Sequence, residues 1–198
     1  MTFGLMRRLP RAPRLWLGLA LAAASLWGAS ELPYINWRSA AAPVDTDTLV
    51  IRQDAKGDGR FLAPRSGNRR HRGVDLAAPL ESPVHAIRSG RVVDVGIHRG
   101  LGRFVEIQHR GNLRSLYAHL HDVTVHSGQR VRQGAVIGTV GKTGNARHRW
   151  ITPHLHLEVV RGEEPINPQG LGLAMIEPTA LPQLTSVPED ERDEQGGE

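Results

Sequence analysis

Short runs of alternating apolar and polar residues, separated by glycine-containing breaks, occupy the middle of the chain. A period of two is typical of a half-buried β-strand, and no stretch in this region repeats apolar residues at helical spacing. The pattern predicts strands at 83–88, 91–98, 103–108, 113–119, 135–140 and 154–161. The gaps between them are too short for crossover helices, so we expect a compact all-β domain with a mainly antiparallel sheet.

The N-terminal residues have a different pattern. Residues 1–14 carry four arginines, and residues 15–30 are uncharged and end in small residues, which is typical of a secretory signal. This uncharged stretch is shorter than the roughly 20 residues that comfortably span a bilayer, but a retained N-terminal anchor is the alternative to a cleaved signal. The sequence therefore predicts an exported protein of the periplasm or cell envelope, held at the inner membrane if the segment is not cleaved.

The remaining boundaries follow from composition. Residues 31–50 lack sustained periodicity and are expected to be a linker before a domain at 51–170. Residues 171–198 contain proline and then become acidic, which is typical of a disordered tail.

Composition restricts the chemistry. The 198 residues include no cysteine, which excludes disulfides, cysteine-ligated zinc, iron–sulfur clusters and a thiol nucleophile, whereas ten histidines are available as metal ligands. The net charge of +5 combines an acidic C-terminus with a basic remainder, which suggests an anionic partner such as nucleic acid, anionic lipid or an acidic cell-wall polymer. A solvated arginine-rich surface explains the charge equally well. Because an exported protein rarely meets nucleic acid, we expect no nucleic-acid partner.

The most informative motif is His154-Leu155-His156 in the last predicted strand. Side chains two residues apart on a strand share a face, with backbones about 6.5–7 Å apart, so both imidazoles can reach one cavity. One would bind a metal ion and the other would contact its water, and the strand pattern does not choose between them. Taken alone, the motif is also explained by an ordinary half-buried strand.

A second motif supplies further ligands. His71 and Asp75 would be about 13 Å apart in a fully extended chain, too far to share one ion. We therefore expect a bend at Gly73, with Asp75 entering a strand. Zinc in catalytic sites takes three protein ligands and keeps a fourth position for water, so His71, Asp75 and one of the two strand histidines form a complete set.

The third motif lies in the predicted strand 113–119, where alternation places Tyr117 and His119 on one face. Histidines beside a zinc site can accept the proton of its water, stabilise the developing oxyanion or protonate a leaving amine. The three motifs together predict amide hydrolysis without a covalent intermediate.

In this order, the motifs resemble the lysostaphin/LytM-type zinc metallopeptidases, a peptidoglycan endopeptidase family. The resemblance covers roughly residues 57–168, including the glycine-rich spacers. It implies an antiparallel β-fold with a narrow groove, one zinc ion per chain, and cleavage of peptide bonds in peptidoglycan stems or cross-links. By this resemblance the zinc ligands are His71, Asp75 and His156, and the catalytic histidines are His119 and His154.

Two arginine-rich segments near the motifs have open interpretations. Residues 145–152 depart from the family, which usually has a shorter stretch of small residues there, and their Arg147, Arg149 and Trp150 are either contacts for a stem-peptide carboxylate or sugar, or a solvated loop. One arginine before His71 is a candidate to polarise the scissile carbonyl, and the choices are Arg65, Arg69 and Arg70. Other histidines are expected at the surface or next to the site, and they are His85, His98, His109, His121, His126 and His148.

The leading prediction is an exported zinc endopeptidase acting on peptidoglycan peptides. The alternative is a non-catalytic wall-binding module with the same fold that regulates another hydrolase; such modules usually lack some metal residues, and all five are present here. An exported metal-storage or chaperone protein is a third reading. A biotin- or lipoyl-carrier domain with Lys142 in its turn would not explain the five metal-type residues.

Overall fold

The computed structural model describes residues 31–178. The segment 1–30, expected to be a signal or anchor, lies outside the described residues, as does the acidic tail from residue 179 onward. Within residues 31–178, no helix is long and apolar enough to cross a bilayer.

The described residues form sixteen strands and three short 3-10 helices. The first eight strands are β1 (Leu49–Val50), β2 (Gln53–Asp54), β3 (Gly57–Asp58), β4 (Pro64–Arg65), β5 (Arg69–Arg70), β6 (Gly73–Ala77), β7 (Pro83–His85) and β8 (Gly90–His98). The other eight are β9 (Gly102–His109), β10 (Leu113–Leu120), β11 (Asp122–Val123), β12 (Arg130–Val131), β13 (Val136–Thr139), β14 (His154–Arg161), β15 (Glu164–Ile166) and β16 (Met175–Ile176). The 3-10 helices are Leu32–Tyr34, Gly144–Arg147 and Pro168–Leu171.

Seven strands form the main sheet, in the order β12-β8-β9-β10-β14-β15, with β6 also paired to β14. A second sheet has the order β11-β13-β7. Every neighbouring pair in both sheets is antiparallel, and buried apolar residues of both sheets belong to one core. The expectation of an all-β, mainly antiparallel domain is confirmed.

The predicted strands agree with the observed ones to within a few residues, and 154–161 coincides with β14. Alternation explains this agreement, since Leu155, Leu157 and Val159 of β14 are fully buried in the core. In β6 the apolar Val74 and Leu76 alternate with Asp75, but four residues in succession are buried, because the face that carries Asp75 is covered as well.

The packed unit extends beyond residues 51–170 on both sides. β1 pairs in parallel with β16, and Val44 forms a bridge with Val84. The buried core residues outside 51–170 are Val44, Leu49, Leu171, Leu173 and Met175. Parts of the expected linker and tail thus complete the core of the domain.

A buried polar network crosses the main sheet. The Tyr117 hydroxyl accepts hydrogen bonds from the Ile87 amide at 2.8 Å and from Ser115 Oγ at 3.0 Å, and His109 Nε2 lies 2.7 Å from the same Ser115 oxygen. His109 also contacts the Ser89 carbonyl. The expectation that this histidine lies at the surface or next to the site is wrong, because it is buried within the network.

We expect Tyr117→Phe to lower the free energy of unfolding by about 1–3 kcal/mol, because it leaves the Ile87 amide and the Ser115 hydroxyl without a buried partner. Tyr34→Phe is the matched control, since the Tyr34 ring packs against the Arg130 guanidinium at 3.8 Å and a phenylalanine ring keeps this contact. Urea unfolding measures both changes. Equal stability of the two variants would contradict the importance of the network.

Burial lowers the pKa of His109 to about 4 from an ordinary value of 6.5. Between these two values the unfolded chain binds a proton that the folded protein does not, so stability falls as pH decreases from about 6.5 towards 4. We expect His109→Gln to weaken this pH dependence in urea unfolding at pH 7.5, 6 and 5. Identical slopes for both proteins would show that His109 titrates normally.

Candidate metal centre

The candidate site lies where β14 is flanked by β6 on one side and β10 on the other. In this register His156 is directly opposite Asp75 of β6 and Ala118 of β10. Paired residues of neighbouring strands share a face, so strand pairing places the Asp75 carboxylate beside His156. The absence of a side chain at Gly73 allows this approach, because a Cβ there would overlap the Leu157 carbonyl.

The side chains of His71, Asp75 and His156 meet at this point. His156 Nδ1 lies 2.9 Å from Asp75 Oδ1 and 3.0 Å from His71 Nε2, and His71 Nε2 lies 3.2 Å from Asp75 Oδ1. All three residues are buried. β6 begins at Gly73, so His71 lies before the strand and Asp75 lies within it. The segment between the two residues is therefore not a continuous strand. The structure thus brings together the three residues expected to be ligands.

Two imidazoles and one carboxylate are a donor set that suits a catalytic zinc ion. With bonds of 2.0–2.1 Å, two ligand atoms of a tetrahedral zinc ion are roughly 3.3 Å apart, close to the 3.2 Å between His71 Nε2 and Asp75 Oδ1. The Nδ1–H of His71 donates to the Arg60 carbonyl at 2.9 Å, which leaves Nε2 as the available ligand atom. The donors and their spacing therefore fit zinc.

The local charge favours an ionised Asp75. Burial by itself raises the pKa of this carboxyl, but the close contacts with the His156 and His71 imidazoles outweigh burial and hold the pKa well below its ordinary value. A carboxylate that is already deprotonated is ready to bind a cation without first releasing a proton.

His119 and His154 lie beside these three residues, with their ring centroids 5.0 Å apart. His119 Nδ1 donates to the Thr143 carbonyl at 3.0 Å, and His154 Nδ1 donates to the Thr152 carbonyl at 2.7 Å. A carbonyl only accepts, so each neutral ring carries its proton on Nδ1 and keeps an unprotonated Nε2. Burial, reinforced by neighbouring histidines, lowers the pKa of His119 to about 3, and burial also lowers the pKa of His154.

The expected common face for Tyr117 and His119 is wrong. Tyr117 pairs with Leu157 and points into the core, whereas the His119 ring contacts the site residues. The β9–β10 register shifts between Tyr117 and Leu120, and His119 has a left-handed backbone with φ of 64°. This β-bulge turns the side chain to the opposite face. Left-handed backbone at a non-glycine residue is strained and concentrates at functional sites.

Two arginines reach the Asp75 carboxylate. Arg52 Nη2 lies 3.0 Å from Asp75 Oδ2, and Arg65 Nη2 lies 3.6 Å from the same oxygen. The other two candidates before His71 are directed elsewhere, since Arg69 contacts Ser66 and Arg70 contacts the Leu62 carbonyl. Sequence reasoning missed Arg52, because no motif surrounds it, and left Arg65 undistinguished from its neighbours.

The loop at 145–152 begins in a 3-10 helix and continues in exposed residues. The Arg149 guanidinium lies 4.3 Å from the centroid of the Trp150 ring, and the Arg149 carbonyl accepts from Lys142 Nζ at 3.3 Å. The loop spans the interval between Thr143 and Thr152, whose carbonyls bind His119 and His154. It therefore connects the two anchoring points of the paired histidines.

The sequence model of Peptidase family M23 matches residues 69–168. The chain belongs to this family. The matched segment contains all five residues of the site, and the resemblance to lysostaphin/LytM-type enzymes is confirmed.

Known relatives and solved structures agree with this assignment. The chain is 41% identical over 111 residues to the DD-carboxypeptidase/endopeptidase Mpg of Neisseria meningitidis, and 33% identical over 116 residues to the peptidoglycan DD-endopeptidase ShyB of Vibrio cholerae. The alignments cover 56% and 59% of this chain but only 25% and 26% of those proteins, so the chain spans about a quarter of their length.

Two crystal structures share the fold. A zinc-containing peptidase from Vibrio cholerae superposes with a TM-score of 0.53 at 31% identity, covering 67% of this chain and 39% of that one. The catalytic domain of lysostaphin from Staphylococcus simulans gives a TM-score of 0.51 at 30% identity, covering 59% of this chain and 90% of that one.

We expect Gly144→Ala to disturb the support of His119. Gly144 has a φ of 61°, and a Cβ there would overlap the Gly102 amide and the Gly100 carbonyl, which pushes Thr143 away from the His119 ring. Gly134→Ala is the matched control, because Gly134 has a φ of 79° but open space around it. Both substitutions cost about 1–2 kcal/mol of backbone strain.

Only Gly144→Ala should lose further stability in urea unfolding and shift the NMR signals of the His119 ring. Equal effects of the two substitutions would show that packing at Gly144 does not position His119.

Proposed function

We propose that this M23-family protein is an exported zinc endopeptidase that hydrolyses peptide bonds in peptidoglycan stems or cross-links. The observation that carries the proposal is the convergence of His71, Asp75 and His156 next to two neutral imidazoles. The names of the peptidoglycan DD-endopeptidase relatives support the substrate class. The signal-like residues 1–30 support export to the compartment that contains this polymer.

In this proposal the zinc ligands are His71, Asp75 and His156. Bound there, zinc would activate water at neutral pH and polarise the scissile carbonyl. The ligand side chains are buried and hydrogen-bonded to one another, so little rearrangement is needed to form the site. The family relationship to a zinc-containing peptidase supports zinc over other divalent ions.

His119 and His154 are the proposed catalytic residues. Each ring is neutral at physiological pH and keeps Nε2 free to accept a proton, because Nδ1–H is committed to a backbone carbonyl. The carbonyl continues to stabilise the ring after it becomes an imidazolium. The lowered pKa values of both histidines make this cation a strong acid, which favours return of the proton to the leaving amine. No enzyme nucleophile is required.

Incubation of the purified protein with cell-wall sacculi should release soluble peptides, and mass spectrometry of fragments from defined muropeptides will identify the bond that is cut. Chelation should abolish release and added Zn²⁺ should restore it. Absence of stoichiometric zinc together with absence of release would favour the non-catalytic wall-binding alternative.

Three substitutions test the assigned roles. His71→Ala and His156→Ala should lose bound zinc, whereas His119→Ala should retain zinc and lose at least about 100-fold in kcat, the usual contribution of general acid–base catalysis. His126→Ala is the control, because this exposed histidine contacts only its own turn. Full turnover by zinc-loaded His119→Ala would refute the assigned mechanism.

A further inference from the structure

The two oxygens of the Asp75 carboxylate have different partners. Oδ1 lies next to His71 and His156, and Oδ2 lies 3.0 Å from the Arg52 guanidinium. A carboxylate that uses one oxygen for a metal needs its other oxygen held, or rotation about the Cβ–Cγ bond would move the ligand atom. The Arg52 guanidinium holds Oδ2 and thereby prevents this rotation.

The main chain around Arg52 is fixed to the same strand. The Arg52 amide donates to the Asp75 carbonyl at 2.7 Å, and the Asp75 amide donates to the Gly59 carbonyl at 2.9 Å. The Gly59 amide donates in turn to the Arg52 carbonyl at 2.8 Å. A Cβ at Gly59 would lie 2.9 Å from Asp75 Cβ, so the three backbones are tightly packed. Arg52 and Gly59 both precede the segment 69–168 that matches the family.

The guanidinium of Arg52 also contacts a second carboxylate. Its Nη1 lies 2.8 Å from Asp54 Oδ2, and its side chain is only 6% exposed. Burial raises the pKa of Asp54, but the Thr152 amide and the Arg52 guanidinium lower it to about 2, so this group is ionised. Arg52 is therefore a buried cation between two anions, and its removal would leave Asp54 without this cation and Asp75 Oδ2 with only the more distant Arg65 guanidinium at 3.6 Å.

Asp54 is linked to the catalytic His154 through the main chain of Thr152. Asp54 Oδ2 accepts a hydrogen bond from the Thr152 amide at 2.9 Å, and the Thr152 carbonyl accepts from His154 Nδ1 at 2.7 Å. The Thr152 main chain thus donates one hydrogen bond to Asp54 and accepts another from His154. A displacement of Asp54 would move the carbonyl that holds the His154 ring.

We propose that Arg52 and Asp54 are positioning residues that join the metal ligand Asp75 to the catalytic His154 through Thr152. The proposal rests on the roles given to Asp75 and His154 in the proposed function. Arg52 fixes the orientation of the Asp75 carboxylate, and Asp54 fixes the Thr152 backbone and thereby the Nδ1–H tautomer of His154. A segment that precedes the matched family region would therefore be part of the working site.

Zinc affinity tests the first half of the proposal. In the full-length protein, freed of metal and titrated with Zn²⁺ against a fluorescent chelator, Arg52→Met should weaken binding by about 10–100-fold, as expected for loss of a group that orients a ligand. Arg52→Lys keeps the charge but not the two-pronged geometry and should recover part of the affinity. Arg114→Met is the matched control. Arg114 forms an ion pair with Glu106, with 3.0 Å between Nη1 and Oε1, and this pair lies away from the site.

The second half is tested by Asp54→Asn, which removes the charge that pairs with Arg52 and leaves the Thr152 amide only a neutral amide oxygen, a weaker acceptor than the carboxylate. We expect zinc affinity within about threefold of the unsubstituted protein, a roughly tenfold lower kcat at unchanged KM, and an altered ¹⁵N tautomer signal of His154. Glu106→Gln is its control and should change none of these quantities.

Two results would overturn the proposal. One is unchanged zinc affinity in folded Arg52→Met, or in Arg52→Lys should the first variant not fold. The other is an Asp54→Asn protein that loses only stability in urea, with kcat per bound zinc and the His154 signal unchanged. The zinc titration and the NMR measurement use no substrate, so their outcome is separate from failure of the protein to cleave peptidoglycan.

Discussion

The antiparallel pairing of β14 with β6 is the interaction on which the rest of the site depends. It sets His156 opposite Asp75, although these residues are 81 positions apart in the chain. A shift of one residue in either strand would turn one of the two side chains into the core and leave a buried charge or imidazole without a partner. The core residues Leu155 and Leu157 oppose such a shift, since they occupy the other face of β14. Apolar packing on one face thus fixes the polar geometry on the other.

Burial imposes a second requirement on the site. Four imidazoles and a carboxylate lie close together with little solvent, so each ring must be neutral or paired, and each N–H needs an acceptor. Backbone carbonyls meet this need for His71, His119 and His154. The same hydrogen bonds select which nitrogen faces the site, so the requirement for satisfied polar groups also determines the chemical state of the rings. The hydrogen bonds that satisfy the buried rings therefore also set which ring nitrogen is available to react.

Sequence reasoning located the longer strands and the motif residues, and the structure brings those residues together. It failed at His119, where strict alternation assigned the ring to the face of Tyr117. A bulge adds a residue without any change in composition, and a histidine predicts left-handed backbone far more weakly than a glycine does. It also gave no role to Arg52, because a buried arginine is recognisable only from the carboxylates around it: Asp54 is close in sequence but belongs to no motif, and Asp75 is 23 positions away.

The sequence by itself determined the strand pattern, the absence of thiol chemistry and the family to which the motifs belong, since each of these depends on local periodicity or on residue type. Tertiary structure alone decided which side chains share the site, which ring nitrogen each histidine presents, and how the early residues at 52–59 reach the Asp75 strand. These features depend on register, a bulge and long-range pairing. Such interactions join residues far apart in the chain, so no local window of sequence contains them.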